Sequence, residues 1–592
     1  MRVRPRNLYQ LLEQASERYG DADALRQPAP GRGRQNYRTC SWKEYRRAVE
    51  EVAAGLRGLG AAKGDIVALA CDTRMEFYFA DLGAMACGAV AAALYTNYPP
   101  SELVKTIRAC GAKIAFAEDA RLLEALRDAP VEQWILVAGE APGAITLEEL
   151  REMGRRAIEK DPTLIERITS AAGPDDHAIL YLTSGATGEP KMALVSHGAL
   201  LANVAMGPAV LPLGPEDRTV AFLPSAHIAQ RVVIELLPLV GGMPVTFSES
   251  LLKLPQEIRQ VRPTLLLAPP RMWERIYATV CTEIRKRPVF VQKAFWAALG
   301  LGLAAARYRR EGKPVPRHIR GPLAVADRLF FRKIRARLGG ELKVPASGAA
   351  PLGKDLAEFF EAAGMPLVEG YGLTEGGIVV FNPLDSPRPG SIGKPLPGVE
   401  VRIAEDGELL VKGETLFSGY LGDPAASAEV LRGGWLHTGD VAYIDKEGFI
   451  HITGRKKEII VSSTGKKIFP AGIENLFKTD PLISQVLLLG DDLSYLIALF
   501  TINTAAAEGL EGMEEHKGRP ANELVDAPPV AAAVRKTVER VNRQLADFEQ
   551  VRKFRILPRD FSIEEGELTA TMKVRRNRVM ENFRGEIEKL YG

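Results

Sequence analysis

The stretch YLTSGATGEPKMALVSH, residues 181–197, sets three hydroxyls, two glycines and a lysine between two apolar runs. Leu180 to Leu182 suit the end of a strand, and Gly185 and Gly188 permit a tight turn behind it. Successive backbone N–H groups in such a turn form a concave anion nest. Thr183, Ser184 and Thr187 add hydroxyl donors, and Lys191 adds a mobile positive charge. Phosphate is the natural guest. The spacing is not that of the common GxxxxGK[ST] loop, because no Ser or Thr follows the lysine. On this segment alone, a generic polar turn is the plain alternative.

A phosphate loop needs a frame, and the chain supplies alternating elements on either side of it. SWKEYRRAVEEVAAGL opens with Ser41 and Glu44 at capping-box spacing. Trp42, Tyr45, Val49, Val52 and Leu56 then recur at three and four, a helical period. DIVALA, KIAFA, WILVAG, AILYL, TVAFLP and PTLLLAP read as short buried strands separated by helical or loop segments. That rhythm predicts an α/β protein with parallel or mixed sheets faced by helices. QVLLLG and YLIALF predict strands in a smaller unit near the end, and residues 511–529 read as an irregular insertion within it.

With 592 residues, the chain is too long for one ordinary core. No uncharged apolar run reaches membrane-spanning length, and the basic start lacks an apolar signal core, so neither a span nor secretion is expected. The five cysteines, Cys40, Cys71, Cys87, Cys110 and Cys281, form no pair or cluster with histidine, which argues for free thiols. A formal net charge of +3 gives no general case for nucleic acid as a partner. Residues 281–340 differ from the rest: 15 lysines and arginines against three acids, mixed with Phe290, Trp296, Phe330 and Phe331. A solvated helical insertion is the plain reading, and peripheral contact with an anionic membrane the other.

LTSGATGEPK resembles the phosphate loop of adenylate-forming enzymes, the superfamily of acyl-CoA synthetases, luciferases and peptide-synthetase adenylation domains. LPSAHIAQR (223–231), APPRMWERI (268–276), SGAAPL (347–352), EGYGLTEGG (369–377), HTGD (437–440), GRKKEII (454–460) and LTATMKVRR (568–576) follow in the family's order and cover nearly the whole chain. The long basic segment before SGAAPL looks most like the long-chain fatty acyl-CoA synthetase branch, including its bubblegum-type members. The resemblance implies a large multi-subdomain N-terminal domain, 1–455, carrying the basic insertion 281–340. A small mobile α+β C-terminal domain, 456–592, would follow.

It also implies chemistry. Such enzymes join a carboxylic acid to AMP from ATP, then pass the acyl group to a thiol, usually CoA. By resemblance, Thr183, Ser184, Gly185, Thr187, Gly188 and Lys191 hold the β- and γ-phosphates. Glu375 binds Mg²⁺, Thr374 touches the α-phosphate, and Tyr371 offers a face to adenine. Gly348, Ala349 and Ala350 form a lean wall against adenine and the acyl group, where the family commonly has Gly-Gly-Ala. Asp440 takes the ribose hydroxyls, and Arg455 adds a ribose or phosphate contact. His227 borders the acyl site, and Gly348 shares that side. Lys573, on the C-terminal domain, bridges carboxylate and α-phosphate, and Lys457 is the hinge about which that domain turns. Ala186, Met192 and Ala570 depart from the family's usual residues, and 95–102 departs in a segment read as structural.

The implied activity is that of a cytoplasmic long-chain fatty acid–CoA ligase using Mg-ATP, fatty acid and CoA, with peripheral contact at the inner face of a membrane through 281–340. Ligation of an aryl or other acid, transfer to a carrier instead of CoA, and a non-catalytic acyl- or nucleotide-binding scaffold are the alternatives.

Overall fold

The computed structural model describes residues 4–591 except 30–35, 185–189, 464, 492, 494, 517, 570 and 571. An 8-stranded sheet carries Ile66–Ala70, Val90–Ala93, Ile114–Ala117, Gln133–Leu136 and Ala144–Thr146 in parallel. In the strands from Val90 to Leu136 and in residues 67–70 the Val, Ile, Leu and Ala side chains are buried on both faces, as a covered parallel sheet requires, while the edge strand Ala144–Thr146 is only partly buried. His177–Ser184 joins parallel to Val90–Ala93, then folds back on Pro190–Ser196 as an antiparallel hairpin, with Gly419–Tyr420 pairing outside it. A 9-stranded mixed sheet contains Leu265–Ala268, Val344–Ser347 and Val368–Leu373 as consecutive parallel neighbours.

The helix Trp42–Gly58 begins with the expected capping box: Ser41 Oγ accepts from the Glu44 N–H, and the Glu44 carboxylate accepts from the Ser41 N–H. Met75–Ala86 is entirely buried and apolar apart from Glu76 and Asp81, both of which are paired with arginines, the behaviour of a helix sandwiched in a core. A π-helical segment, Gln230–Leu236, turns Gln230, Arg231 and Glu235 inward. Arg231 pairs with Asp81 and lies over the rings of Phe77 and Tyr181, which ties this segment to the first sheet and its helices.

A third, antiparallel sheet holds Glu408–Lys412, Trp435–Ile444 and Ile450–Arg455. The last residue of the large core is Ile450, and the first of the small C-terminal core is Ile460. In that smaller unit Ile483–Leu489, Leu496–Ile502 and Val551–Ile556 form one mixed sheet. Val486 and Leu488 face one cluster while Leu487 and Leu489 face another, the period of two that a sheet covered on both sides demands. The segment 511–529 is irregular, yet Met513, Leu524, Val525 and Ala527 are buried in this core, so it is more than a surface insertion. All five cysteines are free and buried.

Residues 281–340 are helical: Pro270–Arg285 runs into the segment, followed by Val289–Arg310, Arg317–Ala326, a π-turn Asp327–Phe331 and Arg332–Arg337. Two of the four aromatic residues named above as exposed anchors are not free. Phe331 is buried among Phe295, Ile334 and Leu338, and Phe330 packs edge-on against Phe295 at 5.6 Å. Aromatic area was worth more inside this layer than outside it.

Candidate active site

Thr183 and Lys191 are register partners across the hairpin His177–Ser184/Pro190–Ser196. Gly185, Ala186, Thr187 and Gly188 lie outside the described residues, as does Ala570. The Lys191 ammonium stands 4.8 Å above the ring of Tyr420, and the Tyr420 hydroxyl donates to Glu375 Oε1 at 2.7 Å. Burial, then the Glu375 charge, pushes the Tyr420 hydroxyl well above its ordinary range, so it remains a donor. Tyr420 comes here because Gly419–Tyr420 pairs with Ala193 and Leu194 at the hairpin edge. No motif announced it; its function rests on strand pairing across more than two hundred residues. Glu375 follows Thr374 in the turn after Val368–Leu373, and both line the cavity.

A second cluster forms on the third sheet. The register Asp440↔Arg455 sets these side chains opposite each other, and Arg455 forms an ion pair with Asp440, Nε to Oδ1 at 3.0 Å. Tyr371 donates its hydroxyl to Asp440 Oδ2 at 2.6 Å. Burial first, then Asp440, keeps the Tyr371 phenol protonated. Each carboxylate oxygen retains a further lone pair, so Asp440 has acceptor capacity left for two hydroxyls. The turn before it is braced by Gly439 N–H donating to Glu408 Oε1 and Thr438 Oγ donating to the Leu409 carbonyl. Glu408 is another residue that the motif reading passed over.

Between these clusters, Gly348, Ala349 and Ala350 follow the strand Val344–Ser347. Ala349 has φ of 71°, left-handed backbone that favours glycine. Gly348 approaches the Gly370 carbonyl, where an added Cβ would sit 3.4 Å away. The wall is lean because backbone meets backbone there.

The C-terminal unit closes the site. Thr569 N–H donates to the Lys573 carbonyl at 2.8 Å, Lys573 N–H donates to Thr569 Oγ1 at 3.1 Å, and Leu568 bridges Val574. This turn holds Lys573 at the cavity wall. Its side chain keeps contact with solvent through the open cavity, while enclosure by protein, then the positive charge of Arg455, lowers its pKa to about 8. His227 is half-buried on the same wall. Burial, then Lys573, lowers its pKa to about 3, so it is neutral near pH 7. Its Nδ1 accepts from the Ala229 N–H at 3.1 Å, which leaves Nε2 as the donor nitrogen. Lys457 lies exposed in the turn Lys456–Glu458 at the rim, where Lys456 pairs with Asp406 and Glu408.

Thr183, Lys191, Tyr420, Glu375, Gly348, Ala349, His227, Arg455 and Lys573 line one cavity of about 1190 Å³, and Asp440 joins it through its ion pair with Arg455. It has an apolar arm walled by Val204, Gly207, Val232, Leu237 and Leu267. Tyr95, Tyr98 and Glu102 also line the cavity, so 95–102 belongs to the site rather than only to the scaffold. Arg575 donates to the Tyr98 hydroxyl at 3.3 Å and lies over its ring, joining the C-terminal unit to this segment. Among the described residues, no group of three or more His, Cys, Asp or Glu is arranged to hold a metal by itself. Glu375 is a hard oxygen donor beside Lys191, which fits a magnesium ion that takes its remaining ligands from nucleotide phosphate and water.

Residues 12–421 match the family described as AMP-binding enzyme, and 457–592 match the AMP-binding enzyme C-terminal domain. The chain is 35% identical over 567 residues to the long-chain-fatty-acid–CoA ligase FadD15 of Mycobacterium tuberculosis, covering 93% of this chain and 92% of that one. It is 28% identical to the long-chain-fatty-acid–CoA ligase ACSBG2 of Rattus norvegicus, over 99% of this chain and 93% of that protein. The fold is similar to the adenylation domain of a carboxylate reductase from Mycobacterium chelonae, with a TM-score of 0.76 and 22% identity over 99% of this chain and 91% of that one. It is also similar to the anthranilate CoA ligase AuaEII, with a TM-score of 0.73 and 18% identity over 98% of both chains.

Proposed function

The chain belongs to the AMP-binding enzyme family, and from that premise we infer that it is an ATP-dependent long-chain fatty acid–CoA ligase. One observation carries the mechanism: Lys573 of the C-terminal unit reaches the cavity wall where Glu375, His227 and Arg455, itself paired with Asp440, converge from distant segments. Like charges oppose the first step, because a carboxylate oxygen must bond to the α-phosphorus of a polyanion as the bond to pyrophosphate breaks. Fixed positive charge and donors stabilise that state. Lys573 bridges carboxylate and α-phosphate, with Thr374 as a second donor. Thr183 and Lys191, register partners across the hairpin, hold the outer phosphates. Asp440 receives the ribose hydroxyls while Tyr371 and Arg455 orient it. Gly348, Ala349 and Ala350 give the flat wall beside adenine. His227 Nε2–H faces the acid as a neutral donor. Magnesium, held by Glu375 together with phosphate oxygens, would neutralise charge on the leaving pyrophosphate.

In the second step the CoA sulfur bonds to the acyl carbon and the C–O bond to AMP breaks. The C-terminal unit, 456–592, turns about Lys457 between the steps. We propose that the enzyme works in the cytoplasm, at the inner face of a membrane when it collects its acid. The apolar arm suits a hydrocarbon chain, which gains about 0.8 kcal/mol for each buried CH₂.

A panel of carboxylic acids, assayed with Mg-ATP and CoA and read by mass, tests the whole reading. Long-chain acids yield acyl-CoA, AMP and pyrophosphate. ADP and phosphate as products would overturn it. Acyl-adenylate that never reaches CoA would move the assignment to transfer onto another acceptor.

A further inference from the structure

We propose that the outward face of the helix Val289–Arg310, with the adjoining edge of residues 317–333, seats the enzyme on an anionic lipid bilayer. The helix is fixed by its other side. Phe295, Ala298, Leu299, Gly302, Ala305 and Ala306 are buried, and Gly302 meets the backbone of Ala362 so closely that a Cβ would lie 2.3 Å from its carbonyl oxygen. A helix so placed normally turns charge toward solvent. Here the exposed positions Phe290, Lys293, Ala294, Ala297 and Gly300, three and four apart, hold one charge. The helix is 22 residues long and contains an 18-residue stretch with a mean hydropathy of 1.5, enough by length and composition to cross a bilayer. Its locked inner face rules out spanning in this fold and leaves the outer face to lie along the interface.

Large apolar side chains are exposed on this helix and on the segment packed beside it. Val289 is 64% exposed, Phe290 73% and Trp296 47%, and on the adjoining segment Val325 is 60% and Leu329 52% exposed. The edge-on contact of Phe330 with Phe295 brings the two segments together. Uncompensated positive charge surrounds them. The three acids of 281–340 are taken by other partners: Glu283 by Arg337, Glu311 by Lys313 and Asp327 by Arg335. Among the described residues, Arg285, Lys286, Lys293, Arg328, Arg332 and Lys333 have no ion-pair partner. Exposed rings and aliphatic groups bordered by cations match acyl chains beneath anionic headgroups. A protein partner would have to offer an apolar groove rimmed with acids. Long-chain acids partition into bilayers, so docking would deepen the ligase reading by placing the enzyme at its substrate's source, and it rests on that reading only for its purpose.

Flotation of the full chain, without nucleotide, on phosphatidylcholine vesicles with and without phosphatidylglycerol tests this directly. Wild type floats with the anionic vesicles, less at high salt. V289S/F290S/L329S and R328Q/R332Q/K333Q each lower the partition coefficient about tenfold, the size expected from losing a few interfacial contacts. Both variants keep wild-type turnover on a short, soluble acid, which shows that they fold. Wild type that fails to float, or flotation indifferent to both variants and to salt, overturns the proposal. So does a dimer in sedimentation that V289S/F290S/L329S dissociates, since a second copy would then cover the face. Flotation that persists in a protein inactive on every acid removes the ligase reading and leaves the docking face standing.

Discussion

At the residue scale, the charged groups of the site have neighbours that fix either their position or their charge. Lys573 is the clearest case, because its pKa of about 8 leaves the cationic form dominant near neutrality. The cation is the useful form, and it is lost as pH rises through that value. In the free enzyme, kcat/KM for adenylation therefore falls as pH is raised above about 8. K573A lowers adenylation by about a hundredfold or more, the usual cost of removing a preorganised donor. It leaves thioester formation from supplied acyl-adenylate largely intact. A flat pH profile in wild type, or equal losses in both steps, contradicts this role. Asp440 gives an independent test. D440N keeps shape but removes an ionised acceptor that Tyr371 and Arg455 now hold in place. It weakens ATP use by about 2 kcal/mol, in the range for losing a hydrogen bond to a charged group. It also narrows the preference for ATP over 2′-deoxy-ATP, and paired nucleotide kinetics would expose an unchanged preference.

At the scale of elements, the helix His197–Val210 and the π-helical segment Gln230–Leu236, with Leu237 after it, wall the apolar arm. Gly207 permits their close approach, since a Cβ there would lie 2.2 Å from Leu237 Cδ1. Leu237 is the end of a flexible side chain, so a larger residue at 207 moves it into the arm rather than unfolding the helix. G207L accordingly shifts chain-length preference downward. It lowers kcat/KM for the longest acids by about tenfold, equivalent to losing the burial of roughly two CH₂ groups, and spares short ones. A chain-length series measures it. Uniform loss at every length would mean damage to the fold, not a shortened arm.

At the scale of the whole molecule, the two units are in contact, and under the proposed mechanism this is the arrangement of the first half-reaction. Arg575 with Tyr98 and Arg271 with Asp560, at 3.7 Å, join them, and Lys573 lines the same cavity as Arg575 and Tyr98. R271Q/R575Q weakens that arrangement and slows adenylation by about tenfold, as two modest contacts of about 0.5–1 kcal/mol each would suggest. It spares transfer from supplied acyl-adenylate. K457P stiffens the proposed hinge and does the reverse. Rapid-quench assays of the separate half-reactions decide the matter, and identical patterns for the two variants would refute the division.

Local chemistry in the sequence was enough for the alternating elements, the Ser41–Glu44 cap and the order of motifs. Capping and strand burial depend on neighbours within a few residues, and motif order is linear by nature. The family resemblance of the motifs named Glu375, Asp440, Arg455 and Lys573 as candidates, without saying what would hold them. That was decided by register and packing: Tyr420 reaches Glu375 because two short strands pair at a hairpin edge, and Tyr371 reaches Asp440 from a different sheet. No local preference encodes contacts across such separations. The helix Val289–Arg310 shows the same limit in another form. It is apolar on both faces, so its pattern does not say which side is the core; packing against Lys354–Ala362 buried one face and left Phe290 and Trp296 outside.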